Sequence, residues 1–322
     1  MRGKSIAVAF LVLAAGLVAV CRAQDYPSRP IRFIVPFTPG TTADSLARLI
    51  GPHITQRWNV PVVVDNRAGA SGIIGMDLVA TANPDGYTFL FGSTAFGTLA
   101  AVHPKLPYDP LKSFSPVLLV GTSPLTLVVA NKFPASSVRE FLEQVRKQPG
   151  AFNYATSGAG SVFHLTMELL KQEHNINIVH VPYKGMSGVL GDLAAGHVQA
   201  SILVFQTVAP LAQGGRVRML AVMGRERMPQ FPQVPTLAES GIPNMVVENW
   251  TGVMAPSKTS PAVIVKLNAE INNILALPEM KETLAKIGVS PVGGTPATLD
   301  ALVRKEIKMW TAVAKRGNIV LE

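Results

Sequence analysis

Apolar residues follow two rhythms along this chain of 322 residues, and their alternation predicts the fold. Short runs of branched and aromatic residues at 31–35, 62–66 and 87–92 read as strands. Between them, 42–58 and 71–82 carry helical spacing. The pattern then repeats, with strand-like runs at 125–130, 152–155, 178–181 and 199–203 and helical stretches at 138–148, 161–171 and 186–195. In the first of these helices Val138, Phe141, Leu142 and Val145 fall at i, i+3, i+4 and i+7. Arg139, Glu143 and Lys147 take the opposite face. Leu46, Leu49, Ile50 and Ile54 make a similar stripe, as do Leu299, Leu302, Val303, Ile307 and Trp310. Strands alternating with helices imply βαβ units and an α/β fold with mostly parallel sheets. The stripes are core and are assigned no chemistry.

Length adds a second domain, since one core does not extend over a chain of this size. Two Pro- and Gly-containing stretches mark the expected joints, Gly121-Thr122-Ser123-Pro124 and the segment from Met228 to Pro235. The remainder past the second joint is too irregular for a third α/β unit: short strands near 246–248 and 252–255, then three helices. The chain is therefore expected to return and complete the first lobe. The reading assigns 24–124 plus 225–322 to lobe 1 and 125–224 to lobe 2, with a cleft between them.

Charge and cysteine usage narrow the setting. Arg2 and Lys4 precede an uninterrupted apolar run from Ile6 to Val20, and Cys21-Arg22-Ala23 places small residues at −3 and −1 of a cleavage site. Residues 1–23 thus read as a secretory signal peptide cleaved near Ala23, and the product is expected to be exported. Bulky Val20 argues against a lipid anchor on Cys21, though the residues leave that alternative open. Removing the leader takes away Arg2, Lys4 and Arg22, so the net charge of +9 falls to +6, and it removes the single cysteine. The remaining charges are dispersed, without a Lys/Arg run. They suit anionic solutes and argue against nucleic acid.

One stretch carries the candidate chemistry. In "NYATSGAGSVFHLTMELL" (153–170) a strand, the small-residue loop Thr156-Ser157-Gly158-Ala159-Gly160-Ser161 and a helix start succeed one another. Backbone N–H groups at such a junction point at an anion: a cofactor pyrophosphate, a catalytic oxyanion or a carboxylate. Phe163 stands where a dinucleotide fingerprint needs a small residue, and no acidic residue lies some 20 positions on. A G-x-S-x-G elbow, a Walker loop and a metal-ligand spacing among the six histidines are all missing from the sequence. No catalytic residue, metal or cofactor is assigned. His164 is the histidine nearest the loop and reads as a helix-face or ligand-lining group. A mirror feature, "VPFTPGTTAD" (35–44), also joins a strand to a helix, and Thr41 with Asp44 reads as a capping pair. Two small-residue loops at strand carboxyl ends, without an acid–base pair, describe binding rather than turnover.

These segments also carry a resemblance. "YPSRPIRFIVPFTPG", "VVVDNRAGASGIIG", "ANPDGYTFLFGS", "NYATSGAGSVFHLTMELL", "VHVPYKG" and "QVPTLAESGIP", in this order from about Tyr26 onward, resemble the Bug-type extracytoplasmic receptors of tripartite tricarboxylate transporters. The resemblance implies a type II periplasmic-binding-protein fold, two lobes of sheet flanked by helices. It also implies a cleft for small carboxylates or related aromatic or amino acids, a two-component membrane permease as partner, and a carboxylate clamped between the loops at 37–42 and 156–161. The ligand-binding residues expected are Phe37, Thr38, Gly40 and Thr41 from the first loop. From the second come Thr156, Ser157, Gly158, Gly160, Ser161 and His164. Ser93, Thr94, Tyr183 and Gln206, just past strand ends, are expected to set ligand identity, with Phe37 or Tyr183 covering an apolar part. Lys184 reads as solvated. Two departures bear on the ligand. Thr41 stands where the family pattern has a second glycine after Gly40, and Leu203 stands where many members have Asp. The loss of that acidic group points to a mono- or dicarboxylate without an ammonium, in some cases aromatic, taken by a monomer. The residues leave open a same-fold sensor for a signalling partner and an exported hydrolase.

Overall fold

The computed structural model describes residues 26–321; the signal-peptide reading and Cys21 lie outside them. Strand β1 (Ile31–Val35) pairs in parallel with β2 (Val62–Asn66) and β3 (Thr88–Ser93). Helices α1 (Thr42–Trp58), α2 (Ile73–Ala80) and α3 (Ala95–Val102) connect or succeed them. The strand expected at 125–130 is far longer. β4 runs from Phe114 to Ala130, 17 residues, straight through the expected joint. Pro116 and Gly121 hid this continuity, since proline cannot donate to a ladder. The register against β9 (Glu248–Pro256) shifts between Pro116 and Leu118 and again between Leu119 and Gly121, so bulges at Val117 and Val120 stand beside these two residues.

After β4 come α4 (Val138–Lys147), β5 (Asn153–Thr156), α5 (Val162–His174), β6 (Val179–Pro182), α6 (Met186–Ala195), β7 (Ala200–Val204), α7 (Phe205–Gln213) and β8 (Val217–Val222). Past β9 lie α8 (Pro261–Ala276), α9 (Pro278–Lys286), β10 (Ser290–Gly293) and α10 (Pro296–Arg316), the three helices expected there. The sheet order is β2-β1-β3-β9-β4-β7-β5-β6, with β8 and β10 also on β4. β4 divides its partners by position. Phe114 to Pro124 pairs with β9, and Leu125 to Ala130 pairs with β7 and β8, all antiparallel. The sheet is therefore mixed, with parallel triplets β2-β1-β3 and β6-β5-β7 joined through antiparallel neighbours.

The core also corrects the expected return of the chain. Phe231, Val234, Leu237, Ile242, Met245 and Val247, expected in lobe 1, pack instead with the β5–β8 half of the molecule. Apolar residues between the prolines of 228–235 bury there, so this stretch is a packed loop and not a linker; the return is made by β9. Helix α10 belongs to both halves. Leu299 and Val303 pack with Trp250 and Phe96, whereas Trp310, Val313 and Ala314 pack with Leu165 and Tyr154. Pro296 at its first turn and Gly317 at its end set its limits.

Candidate functional site

The loop at 156–161 is held mainly by its own polar groups. Thr156 Oγ1 donates to the Gly158 carbonyl at 3.1 Å and meets His180 Nε2 at 2.7 Å. Ser161 Oγ donates to the same carbonyl at 2.8 Å and accepts from His164 N–H at 3.3 Å, capping α5. Gly160 N–H donates to His164 Nδ1 at 3.1 Å. Gly160 sits at φ +73°, and a Cβ there would fall 2.6 Å from Leu321 Cδ1 and 2.8 Å from Val102 Cγ2. Only glycine fits.

This arrangement revises the donor list. Thr156 is fully buried, and its hydroxyl, that of Ser161 and the N–H of Gly160 are already committed. His164, expected to line the ligand, is 7 % exposed and lies beneath the loop, so it acts on the loop from below. What remains is the half-buried Ser157 hydroxyl and the N–H groups of Ser157, Ala159, Val162 and Phe163, which take part in no hydrogen bond among the described residues. These N–H groups open the positive end of the α5 macrodipole.

A stack of rings forms the base. His164 and His180 lie 4.0 Å apart at 12°, and His180 stacks on Tyr154 at 4.9 Å. Tyr154 Oη donates to Glu168 Oε1 at 2.7 Å, and Lys171 Nζ reaches the same oxygen at 2.6 Å. Burial first, then the neighbouring His164, lowers His180 to about 4. Burial likewise lowers His164, against the pull of Glu168. Both rings are neutral at pH 7.

The first loop is built differently. Thr38 and Gly40 are exposed, and Thr41 makes no side-chain cap on α1. The expected Thr41–Asp44 pair is not formed. Asp44 Oδ2 reaches past the cap to accept from Gly40 N–H at 2.9 Å, and Thr41 Oγ1 donates instead to the Thr38 carbonyl. Asp44 is buried, and burial pushes its pKa up. Hydrogen bonds from Gly40, Arg48 and Asn66 outweigh that and hold its carboxyl below the usual range. The first-turn N–H groups of α1 therefore have no side-chain partner. Phe37, half-buried, packs over Gly72 and joins the apolar clusters of this half.

The remaining residues separate into those near the cleft and those built into walls. Gln206, at the start of α7, donates through Nε2 to Thr42 Oγ1 at 2.5 Å, joining the two halves at the start of α1, while its Oε1 is buried without a partner. Ser93 is nearly buried and pairs in register with Thr251. Thr94 is fully buried; its hydroxyl donates to Asn249 Oδ1 and accepts from Trp250 N–H, so it belongs to the wall. Tyr183 also departs from expectation. Its ring packs on α6 against Gly188 and its hydroxyl donates to Asp192, which pushes the hydroxyl pKa up to about 12. Its N–H still tethers the second loop through the Thr156 carbonyl. Lys184 is exposed. Leu203 packs with Val128, Ala155 and Val208 and offers the cleft no charge. Sequence reasoning missed His180, Thr42 and the role of Asp44. His180 sits in a short strand, and only its register opposite Tyr154 places it under the loop.

Among the described residues there is no group of three metal-ligating side chains, and no helix is long and apolar enough to cross a membrane. Residues 46–319 match the tripartite tricarboxylate transporter family receptor (TctC). Protein BugT of Bordetella pertussis is 37 % identical over 317 residues, covering 98 % of this chain and 97 % of its own. The R. palustris protein Rpa4515, solved with adipate, is 36 % identical with a TM-score of 0.84, over 92 % of this chain and 99 % of that one. MatC from Rhodopseudomonas palustris, solved with bound malate, is 32 % identical with a TM-score of 0.80, over 89 % and 99 %. The fold is that of the two-lobed type II periplasmic binding proteins.

Proposed function

The chain belongs to the tripartite tricarboxylate transporter receptors, and on that premise we propose that it is a periplasmic receptor that captures a small organic carboxylate and passes it to a two-component permease. The observation that carries this reading is the second loop, fastened by the Thr156 and Ser161 hydroxyls and by His164 and His180, with its leftover N–H groups at the start of α5 facing no protein partner. Hydrogen bonds to a charged acceptor contribute roughly 1.5–3 kcal/mol each, so three come to about 5–9 kcal/mol before ordering costs. A micromolar complex needs about 8 kcal/mol. The loop therefore supplies much of the binding without an arginine.

The first loop adds the open N-terminus of α1 from the other lobe, and Gln206 meeting Thr42 marks where the lobes touch. The moving units are the β1–β3 lobe with α8 and α9, and the β5–β8 lobe including 231–247, hinged on β4 and β9. Phe37, Ser93 and Gln206 are assigned to ligand choice. The solved relatives carry adipate and malate, and Leu203 offers no counter-charge for an ammonium. A dicarboxylate without an amino group is the ligand class. The chain binds it and does not transform it.

Isothermal calorimetry with adipate, malate and aspartate tests this. The expected result is Kd in the micromolar range or tighter for adipate or malate, much weaker binding of aspartate, and ligand recovered unchanged. Absence of binding to every carboxylate in a broad panel, or recovery of a chemically altered ligand, contradicts it.

A further inference from the structure

Beneath the second loop, a buried imidazole stands where a backbone amide needs an acceptor. His164 Nδ1 takes the Gly160 N–H at 3.1 Å, which fixes the proton of the neutral ring on Nε2. Nε2 faces Glu168 Oε1 at 3.9 Å. Four groups surround this ring: Glu168 and Lys171 from its own helix, His180 from β6 and Tyr154 from β5. His180 in turn holds Thr156, at the other end of the loop, at 2.7 Å. The loop is thus fastened at both ends to a pair of stacked imidazoles.

We propose that His164 is a positioning residue for carboxylate capture, and that its protonation opens the loop and releases the ligand. The imidazolium has no lone pair on Nδ1. Protonation converts the acceptor of the Gly160 amide into a second donor, and the N–H now faces an N–H. A Cβ built on Gly160 would already meet the side-chain ends of Leu321 and Val102, so room behind the loop is short and the loop moves on the cleft side. Glu168 stabilises the charged ring, while His180 at 4.0 Å restricts the stack to one proton at a time. Burial holds both rings below the ordinary imidazole value and neutral at pH 7, so the loop is set at neutral pH and disturbed only on acidification. The inference rests on the reading of this loop as the carboxylate site, and its switch is testable without a ligand.

The first arm uses the unliganded protein. Nitrogen and proton NMR from pH 7.5 down through the acid titration of the His164 ring should show the Gly160 amide moving with it. An amide that ignores that titration overturns the proposal. The second arm is calorimetry with adipate over the same range. Wild type should lose at least tenfold more affinity on acidification than His164→Asn, whose side-chain oxygen replaces Nδ1 as acceptor but does not titrate. At pH 7.5 His164→Asn should bind within about threefold of wild type, and His164→Leu at least tenfold more weakly. Protonation of adipate itself affects all three alike. A pH profile of His164→Asn identical to wild type, or full affinity in His164→Leu, overturns the proposal. A responsive Gly160 amide without adipate binding supports the switch and removes only adipate as the probe.

Discussion

The two loops sit at equivalent places, each between a strand and the first turn of a helix, yet they are built in opposite ways. The loop at 156–161 commits the Thr156 and Ser161 hydroxyls and the Gly160 amide to its own carbonyl and to a buried ring stack, leaving the Ser157 hydroxyl over. The loop at 36–41 is exposed over 38–40, leaves its helix uncapped, and is anchored by Asp44 from within the helix and by Asn66 on the Phe37 carbonyl. On the proposed reading, one side of the cleft is built before ligand arrives and the other is completed by it. A rigid half lowers the ordering cost of capture, and a compliant half lets closure adapt to the rest of the ligand.

The largest difference should appear on adding a methyl group to each loop. Gly160→Ala adds a Cβ with no room at a positive φ, and the combined strain and overpacking should cost about 2–5 kcal/mol. Affinity for adipate should fall at least tenfold. Gly40 has open space at φ +87°, so Gly40→Ala should cost only the left-handed backbone strain of about 1–2 kcal/mol. Urea unfolding midpoints compare the two, and equal losses erase the distinction.

Acid separates the loops next. The His pair is lowered in the folded state, so the unfolded chain binds protons first and stability falls as pH drops from about 6.5 towards the folded value of about 4 for His180. Asp44 is lowered too, but as an acid. Its contribution is present above the unfolded pKa of about 3.9 and is lost only as pH falls below that. Thermal melting against pH should therefore show the second loop's loss first. His180→Gln should flatten the upper window alone, and Asp44→Asn the lower one.

Caps give a smaller contrast. Ser161→Ala removes a made cap and should cost about 1 kcal/mol. Thr41→Ala removes none and should stay within about 0.5 kcal/mol. The subtlest readout belongs to Gln206→Ala. It deletes a contact between the halves worth about 0.5–1.5 kcal/mol, visible as a slightly larger radius of gyration in solution scattering of the unliganded protein. An unchanged radius would mean that the contact does not hold the lobes.

Much of this was legible in the sequence because period and turn chemistry are local. The stripe Val138, Phe141, Leu142 and Val145 buries as its spacing implies, and the glycines at 158 and 160 mark a loop with positive φ. The illegible part depends on distant partners. β4 reads as broken at Gly121 and Pro124 until β9 is beside it. The hydroxyls of Thr156 and Ser161 look available until the Gly158 carbonyl and His180 claim them. Tyr183 looks like a ligand cover until Asp192, nine residues on, turns it away. His180 carried no signal at all, since nothing in "VHVP" says what lies across the strand.

The most direct test is a crystal structure of the protein with adipate. A carboxylate is expected at the start of α5, its oxygens within about 3 Å of the Ser157 hydroxyl and the free N–H groups of Ala159 and Val162, with the Gly160–His164 bond still in place. A carboxylate held instead by an exposed cation, with the 156–161 loop facing only water, would contradict the loop's role as the anion site.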